Sequence, residues 1–64
     1  MLSIEIKTNN AAYLDEEGIL VGSEIARQLR KLADKFDNTV FRESENGTMN
    51  DINGNKTLCW SLDV

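Results

Sequence analysis

The residues able to do chemistry in this chain are few, and their spacing says which reactions to discount. Histidine is absent and Cys59 is the one cysteine. The commonest general base is therefore missing, and Cys59 has no imidazole with which to form a nucleophilic pair. Between Leu58 and Trp60, this thiol reads as a small half-buried filler in a strand. Asp51-Ile52-Asn53-Gly54-Asn55 offers oxygen ligands at alternate positions, as a calcium loop does. The twelfth position from Asp51 is Leu62, however, where such a loop needs a bidentate Glu, and glycine falls fourth instead of sixth. A hairpin turn accounts for the same residues. Glu43 with Glu45, and Asp15 with Glu17, could share acid and base work, but a chain this short seldom forms the concave site that a small-molecule substrate requires. The reading is of a protein that is not an enzyme, with no catalytic, cofactor or metal residues.

What remains is charge. Eleven acidic and seven basic residues give a net charge of −4, which disfavours unassisted binding to nucleic acid or to an anionic membrane. The sum hides an asymmetry, because residues 24–36 carry +2 and the remainder carries −6. Arg27, Lys31 and Lys35 recur at i, i+4 and i+8, with Arg30 beside them. They form either a solvated helix face, supported by Lys31–Asp34 and Arg30–Asp34 pairs, or a surface for a partner. No Gly-rich phosphate loop or aromatic platform accompanies them, so direct nucleic-acid binding is the weaker reading. The opposite candidate is acidic: Asp15, Glu16, Glu17, Glu43, Glu45 and Asp51 could imitate the phosphates of DNA in a basic groove. The two contact sets are Arg27, Arg30, Lys31 and Lys35 on the helix, and Glu16, Glu17, Glu43 and Glu45 in the loops. They predict opposite responses to charge reversal.

These groups must be held by a small number of elements. Ser23 to Phe36 reads as one amphipathic helix, with Ile25, Leu29, Leu32 and Phe36 on its apolar face and Ala26 and Ala33 beside them. Ser23 suits the N-cap, Glu24 and Lys35 suit the two ends of the helix dipole, and Asn38 tolerates a left-handed stop. Residues 2–7 alternate, with Leu2, Ile4 and Ile6 facing the core. Ala11 to Leu14 reads as an irregular segment, and Ile19-Leu20-Val21 as a short apolar run at a sheet edge or association surface. Asn46-Gly47 and Asn53-Gly54 predict two-residue hairpin turns, with positive φ at both central residues, joining strands over 39–43, 48–52 and 55–63; the middle strand is the weakest, and 44–50 reads alternatively as a plain loop. In the last strand Leu58, Trp60, Leu62 and Val64 share one face, and Thr57, Cys59, Ser61 and Asp63 the other. The expected fold class is α+β: one helix on a small, mainly antiparallel sheet in the order β-α-β-β, with room for one extra short strand.

Sixty-four residues suffice for a single domain over 1–64, with no disulfide framework to reinforce its thin core. Homodimerisation would be one way to cover a second face. The opening Leu2-Ser3-Ile4-Glu5-Ile6-Lys7 lacks the form of a secretory signal, and no run approaches the roughly 18 apolar residues of a membrane span. With its lone thiol, the chain reads as a cytoplasmic protein that does not engage membranes.

Three blocks in series carry a resemblance: Asn10-Ala11-Ala12-Tyr13, then Ala26 to Lys35 (ARQLRKLADK), then Asp51-Ile52-Asn53-Gly54-Asn55-Lys56. Together they cover about a third of the chain. The chain resembles a group of very small phage- and prophage-encoded proteins with an N-A-A-aromatic segment, an A-R-x-L-R-x-L-A-D helix and a D-x-N-G-N hairpin. It departs from them at Leu14 to Gly22, where its connection is longer. The resemblance brings no site residues. It implies a phage accessory protein that binds and blocks a host protein or ribonucleoprotein complex, as anti-CRISPR proteins do. The alternative is a small dimeric regulator that touches DNA through the basic helix face.

Overall fold

The computed structural model describes residues 1–64. Strand β1 (Leu2–Ile6) leads through a 3₁₀ turn at Ala11–Tyr13 to helix α1 (Ser23–Asp37), and strands β2 (Glu45–Asn50) and β3 (Lys56–Leu62) follow. β3 lies in the middle of an antiparallel sheet ordered β1-β3-β2. The architecture is the α+β layer expected from the order of the elements.

From Leu58 to Leu62 the β3 pattern works as its alternation requires. Ile4 pairs with Trp60 and Ile6 with Leu58 on one side, while Trp60 pairs with Gly47 and Leu58 with Met49 on the other. Leu32, Leu58 and Trp60 form the buried cluster, and Ile6, Phe36, Phe41, Met49 and Leu62 pack against it. Phe36, Phe41 and Trp60 meet edge to face, with centroids 5.0–6.2 Å apart, the arrangement ring quadrupoles favour.

Several expectations are corrected. Asn46-Gly47 lies inside β2 and makes no turn, and Gly47 does not have positive φ. Its glycine answers a steric demand instead: a Cβ there would lie 2.6 Å from the Trp60 Nε1. Residues 39–43 form no strand; Phe41 turns inward to the aromatic cluster and Val40 stays exposed. Asn53-Gly54 does turn the chain, with Gly54 at φ +86°, but within a connection over residues 51–55 and without positive φ at Asn53, and residues 45–50 before it are strand, not loop. Gly22, not Ser23, is the N-cap, and no side chain caps the helix start. At the other end Asn38 has φ −107°, outside the left-handed region. The last carbonyls are met instead by Thr39, whose hydroxyl donates to the Lys35 carbonyl at 2.7 Å and whose N–H donates to that of Phe36 at 3.0 Å.

The largest correction concerns which helix face is buried. The expected stripe was Ile25, Leu29, Leu32 and Phe36. The buried residues of α1 are Glu24, Gln28 and Leu32, and Leu29 is 41% exposed. Residues 24, 28, 32 and 36 form an i+4 row, which slants across a helix of 3.6 residues per turn by about 40° per step. The two stripes share Leu32 and Phe36 and part toward the N-terminus. There the sheet side of the helix is polar, and Ile25 and Leu29 move to the flank.

Because Gly47 is set by the indole across from it, Gly47→Ala should destabilise the fold by about 1–3 kcal/mol through overpacking. Urea denaturation followed by Trp60 fluorescence would measure it.

Candidate functional site

The N-terminal half of α1 buries polar groups, and each is met. Tyr13, held by the 3₁₀ turn, is fully buried and its hydroxyl donates to Gln28 Oε1 at 2.7 Å. Gln28 Nε2 donates to Thr57 Oγ1 at 3.1 Å, and the Thr57 hydroxyl lies in hydrogen-bond contact with that of Tyr13. Since the Tyr13 proton is committed to Gln28, Thr57 is the donor in that contact, and the three side chains close a ring. Thr57 reaches it through a break in register: Met49 pairs with Leu58 and Asn50 with Lys56, so Thr57 is the extra residue of a bulge. This is why Thr57 is buried on the side of Leu58 rather than opposite it, as strict alternation predicts.

A second polar group ties the helix start to the β2–β3 turn. Arg27 grips Glu24 with two donors, Nε to Oε1 and Nη2 to Oε2 at 2.8 Å. The Ile52 N–H donates to Glu24 Oε2 at 2.7 Å. The Arg27 guanidinium holds the Glu24 carboxyl below its ordinary value against the upward push of burial, and the Ile52 N–H adds to it. Glu24 in turn keeps Arg27 more firmly protonated. Asp51 organises the turn as an Asx motif, accepting from the N–H groups of Asn53 and Asn55, both at 2.9 Å, and from the Asn10 side chain at 2.9 Å. Burial raises its pKa, but the hydrogen bonds from Asn55, Asn10 and Asn53 outweigh that and lower it overall.

The candidate contact residues divide accordingly. Arg27 is engaged within the fold, while Arg30, Lys31 and Lys35 are exposed and make no ion pair; Glu24–Arg27 is the one salt bridge. The expected Lys31–Asp34 and Arg30–Asp34 pairs do not form. Glu16 and Glu17 are exposed on the turn after Tyr13, where Asp15 accepts from the N–H groups of Glu17 and Ile19. Glu43 and Glu45 lie toward the other end of the sheet, Glu45 pairing with Leu62. Thr57, which anchors Tyr13, is five residues from Leu62, or about 17 Å of strand. The acidic set is therefore split, whereas Arg30, Lys31 and Lys35 share one helix.

Ile19 and Leu20 are more than half exposed, although Leu14 bridges to Leu20 and the Val21 N–H donates to the Tyr13 carbonyl at 2.9 Å. Cys59 is exposed on the polar face of the sheet, not half-buried. That face holds a shallow depression of about 410 Å³ over Gly47 and Trp60, rimmed by Ser3, Glu5, Thr48 and Ser61. No helix is long and apolar enough to cross a membrane. Comparison with known protein families, curated proteins and solved structures finds no match to this chain.

Sequence reasoning missed the ring of Tyr13, Gln28 and Thr57 and the separate buried carboxylates Glu24 and Asp51 at the β2–β3 turn. One signal was present: Glu24, Gln28 and Leu32 follow the i+4 spacing of a buried row.

Two outcomes follow. Tyr13→Phe strands the Gln28 carbonyl and the Thr57 hydroxyl inside the fold and should cost about 1–3 kcal/mol in urea denaturation. Glu24 and Asp51 both have folded values below their ordinary 4.5 and 3.8, so their contribution is complete above those values and is lost as pH falls through the folded ones. Denaturation midpoints should be flat from neutrality to about pH 5 and fall below it, and Glu24→Gln should flatten that acid slope.

Proposed function

We propose that this chain is a non-enzymatic binding module that docks onto a host protein or ribonucleoprotein complex and blocks it, using the exposed side of α1. The observation that carries the reading is the division of the cations. Arg27 is spent inside the fold on Glu24, while Arg30, Lys31 and Lys35 remain unpaired on the outward part of the same helix. A helix tied at Glu24 and Gln28 to the turn and to β3 presents such charges on a rigid support, which limits the ordering cost of binding. The acidic set is the weaker contact because its members lie at two ends of the molecule. The resemblance to small phage and prophage proteins makes a defence or nucleic-acid-processing complex the natural partner, with anti-CRISPR action as the mode and the host cytoplasm as the place.

The same three cations also suit a DNA-contacting regulator, and one experiment separates the two. Tagged protein would be recovered from its host and the co-purifying species identified by mass spectrometry and nucleic-acid staining. Wild type should retain a defined protein partner. Arg30→Glu with Lys31→Glu and Lys35→Glu should lower its affinity at least about tenfold, mainly through slower association at low salt. Glu16→Gln, Glu17→Gln, Glu43→Gln and Glu45→Gln together should retain it. Enrichment of nucleic acid without protein, with binding that weakens steeply as salt rises, would favour the DNA reading.

A further inference from the structure

We propose that β1 is an association edge whose occupant is a second copy of this chain, paired antiparallel about Ile6 so that Glu5 of each copy faces Lys7 of the other. The backbone states which groups are free. The Lys7 N–H donates to the Thr57 carbonyl at 2.8 Å and the Asp63 N–H to the Met1 carbonyl at 3.1 Å, so the odd-numbered residues of this segment bond to β3. In an antiparallel ladder the alternate residues point the other way, and the N–H and C=O groups of Leu2, Ile4 and Ile6 therefore face outward along the open edge. Three of the devices that commonly blunt a sheet edge are absent there: no proline, no bulge and no inward-pointing charge. The opposite edge, β2, borders the bulge opposite Asn50 and has the gap at Gly47.

The side chains agree with the backbone. Leu2 and Ile4 stand on the same side of the sheet as Trp60, yet they remain 42% and 41% exposed. The molecule is long and thin, at 44 × 19 × 17 Å, with a radius of gyration of 13.1 Å against about 10.7 Å for a compact chain of this length. Its accessible surface of 4729 Å² exceeds the roughly 4,100 Å² expected of a monomer of its mass. The surplus of about 600 Å² per chain approaches the roughly 800 Å² that each partner buries in a stable complex.

Charge selects a second copy over an unrelated strand, and also selects the register. Glu5 and Lys7 are exposed, share a face and make no ion pair within the chain. Centring the two-fold on Ile6 sets Ile6 against Ile6, Ile4 against Thr8, and each Glu5 against the Lys7 of the other copy, giving two symmetric cross-strand pairs. Centring on Ile4 would oppose Glu5 to Ser3 and Lys7 to Met1, leaving no directly opposed charge pair; the two Glu5 side chains are diagonal neighbours in either register. After Thr8 the chain leaves the edge, because Asn10 is tied to Asp51 in the β2–β3 connection at 2.9 Å. The result is a six-stranded sheet with both helices on one face, which would double the basic surface. The association is separate from partner binding, so either can fail without the other.

Sedimentation equilibrium is the test, because it reports mass independently of the elongated shape. Wild type should reach dimer mass in the micromolar to millimolar range. Of the backbone hydrogen-bonding groups Ile4→Pro deletes only an outward N–H, and it should give a monomer that keeps the strand content of its circular dichroism spectrum. Glu5→Lys and Lys7→Glu should each raise the dimer dissociation constant about tenfold, and the two together should restore it to within about threefold. If Ile4→Pro fails to fold, the charge-swap series alone decides. A monomer at every concentration, a dimer that survives Ile4→Pro, or a double variant no tighter than the single ones would overturn the proposal.

Discussion

The hydrogen-bonded ring of Tyr13, Gln28 and Thr57 is the constraint on which the arrangement of this small domain rests. Each side chain belongs to a different segment: the 3₁₀ turn, the helix and the central strand. Buried polar groups are tolerated only when partnered, so the three segments must meet in one geometry or leave donors and acceptors stranded in a dry interior. No buried side-chain polar atom is left without a partner. Apolar packing alone would let a helix roll on a sheet at little cost, whereas a closed ring has a single solution.

That solution has consequences elsewhere. Anchoring Gln28 over Thr57 requires the bulge in β3, and it rolls the helix so that Glu24 meets the Ile52 N–H and Arg27 is drawn in to neutralise it. Four of the eight buried residues are consequently polar or charged. The apolar core retreats to the C-terminal half of the helix, where Leu32 and Phe36 sit over Leu58, Trp60 and the aromatic cluster. The apolar side chains displaced by this roll are visible as exposed Leu29, and those beyond the reach of the helix as exposed Leu2 and Ile4. A chain of 64 residues has no spare layer to cover them. Surfaces available for partners are thus a by-product of how the interior is satisfied.

The helix, the first and last strands, and the Asn53-Gly54 turn were legible because each depends on local chemistry: period 3.6, period 2, and a glycine with positive φ. Asn46-Gly47 shows where that logic fails. The same two residue types that turn the chain at 53–54 lie in a strand at 46–47, because Gly47 is required for its missing Cβ beneath Trp60. Asp51, which reads as part of a hairpin turn and as one of the acidic residues able to imitate phosphates, is the buried organiser of that turn. Of the candidate contact residues, the alignment of Arg27, Arg30, Lys31 and Lys35 on one helix was readable from spacing. The Glu24–Arg27 pair stood at an equally readable i, i+3 spacing and was passed over, whereas the division of the acidic residues between two ends was not readable.

The amino-acid order by itself determined the helix, the first and last strands, the turn at 53–54 and the split of charge, since all of these follow from side-chain type and local periodicity. Only the tertiary structure decided which face of the helix is buried and where the bulge falls. Those outcomes depend on hydrogen bonds between residues 15 to 44 positions apart, such as Tyr13 to Gln28 and to Thr57. No local pattern encodes them, because the energy of a buried polar group is set by the partner that folding brings to it.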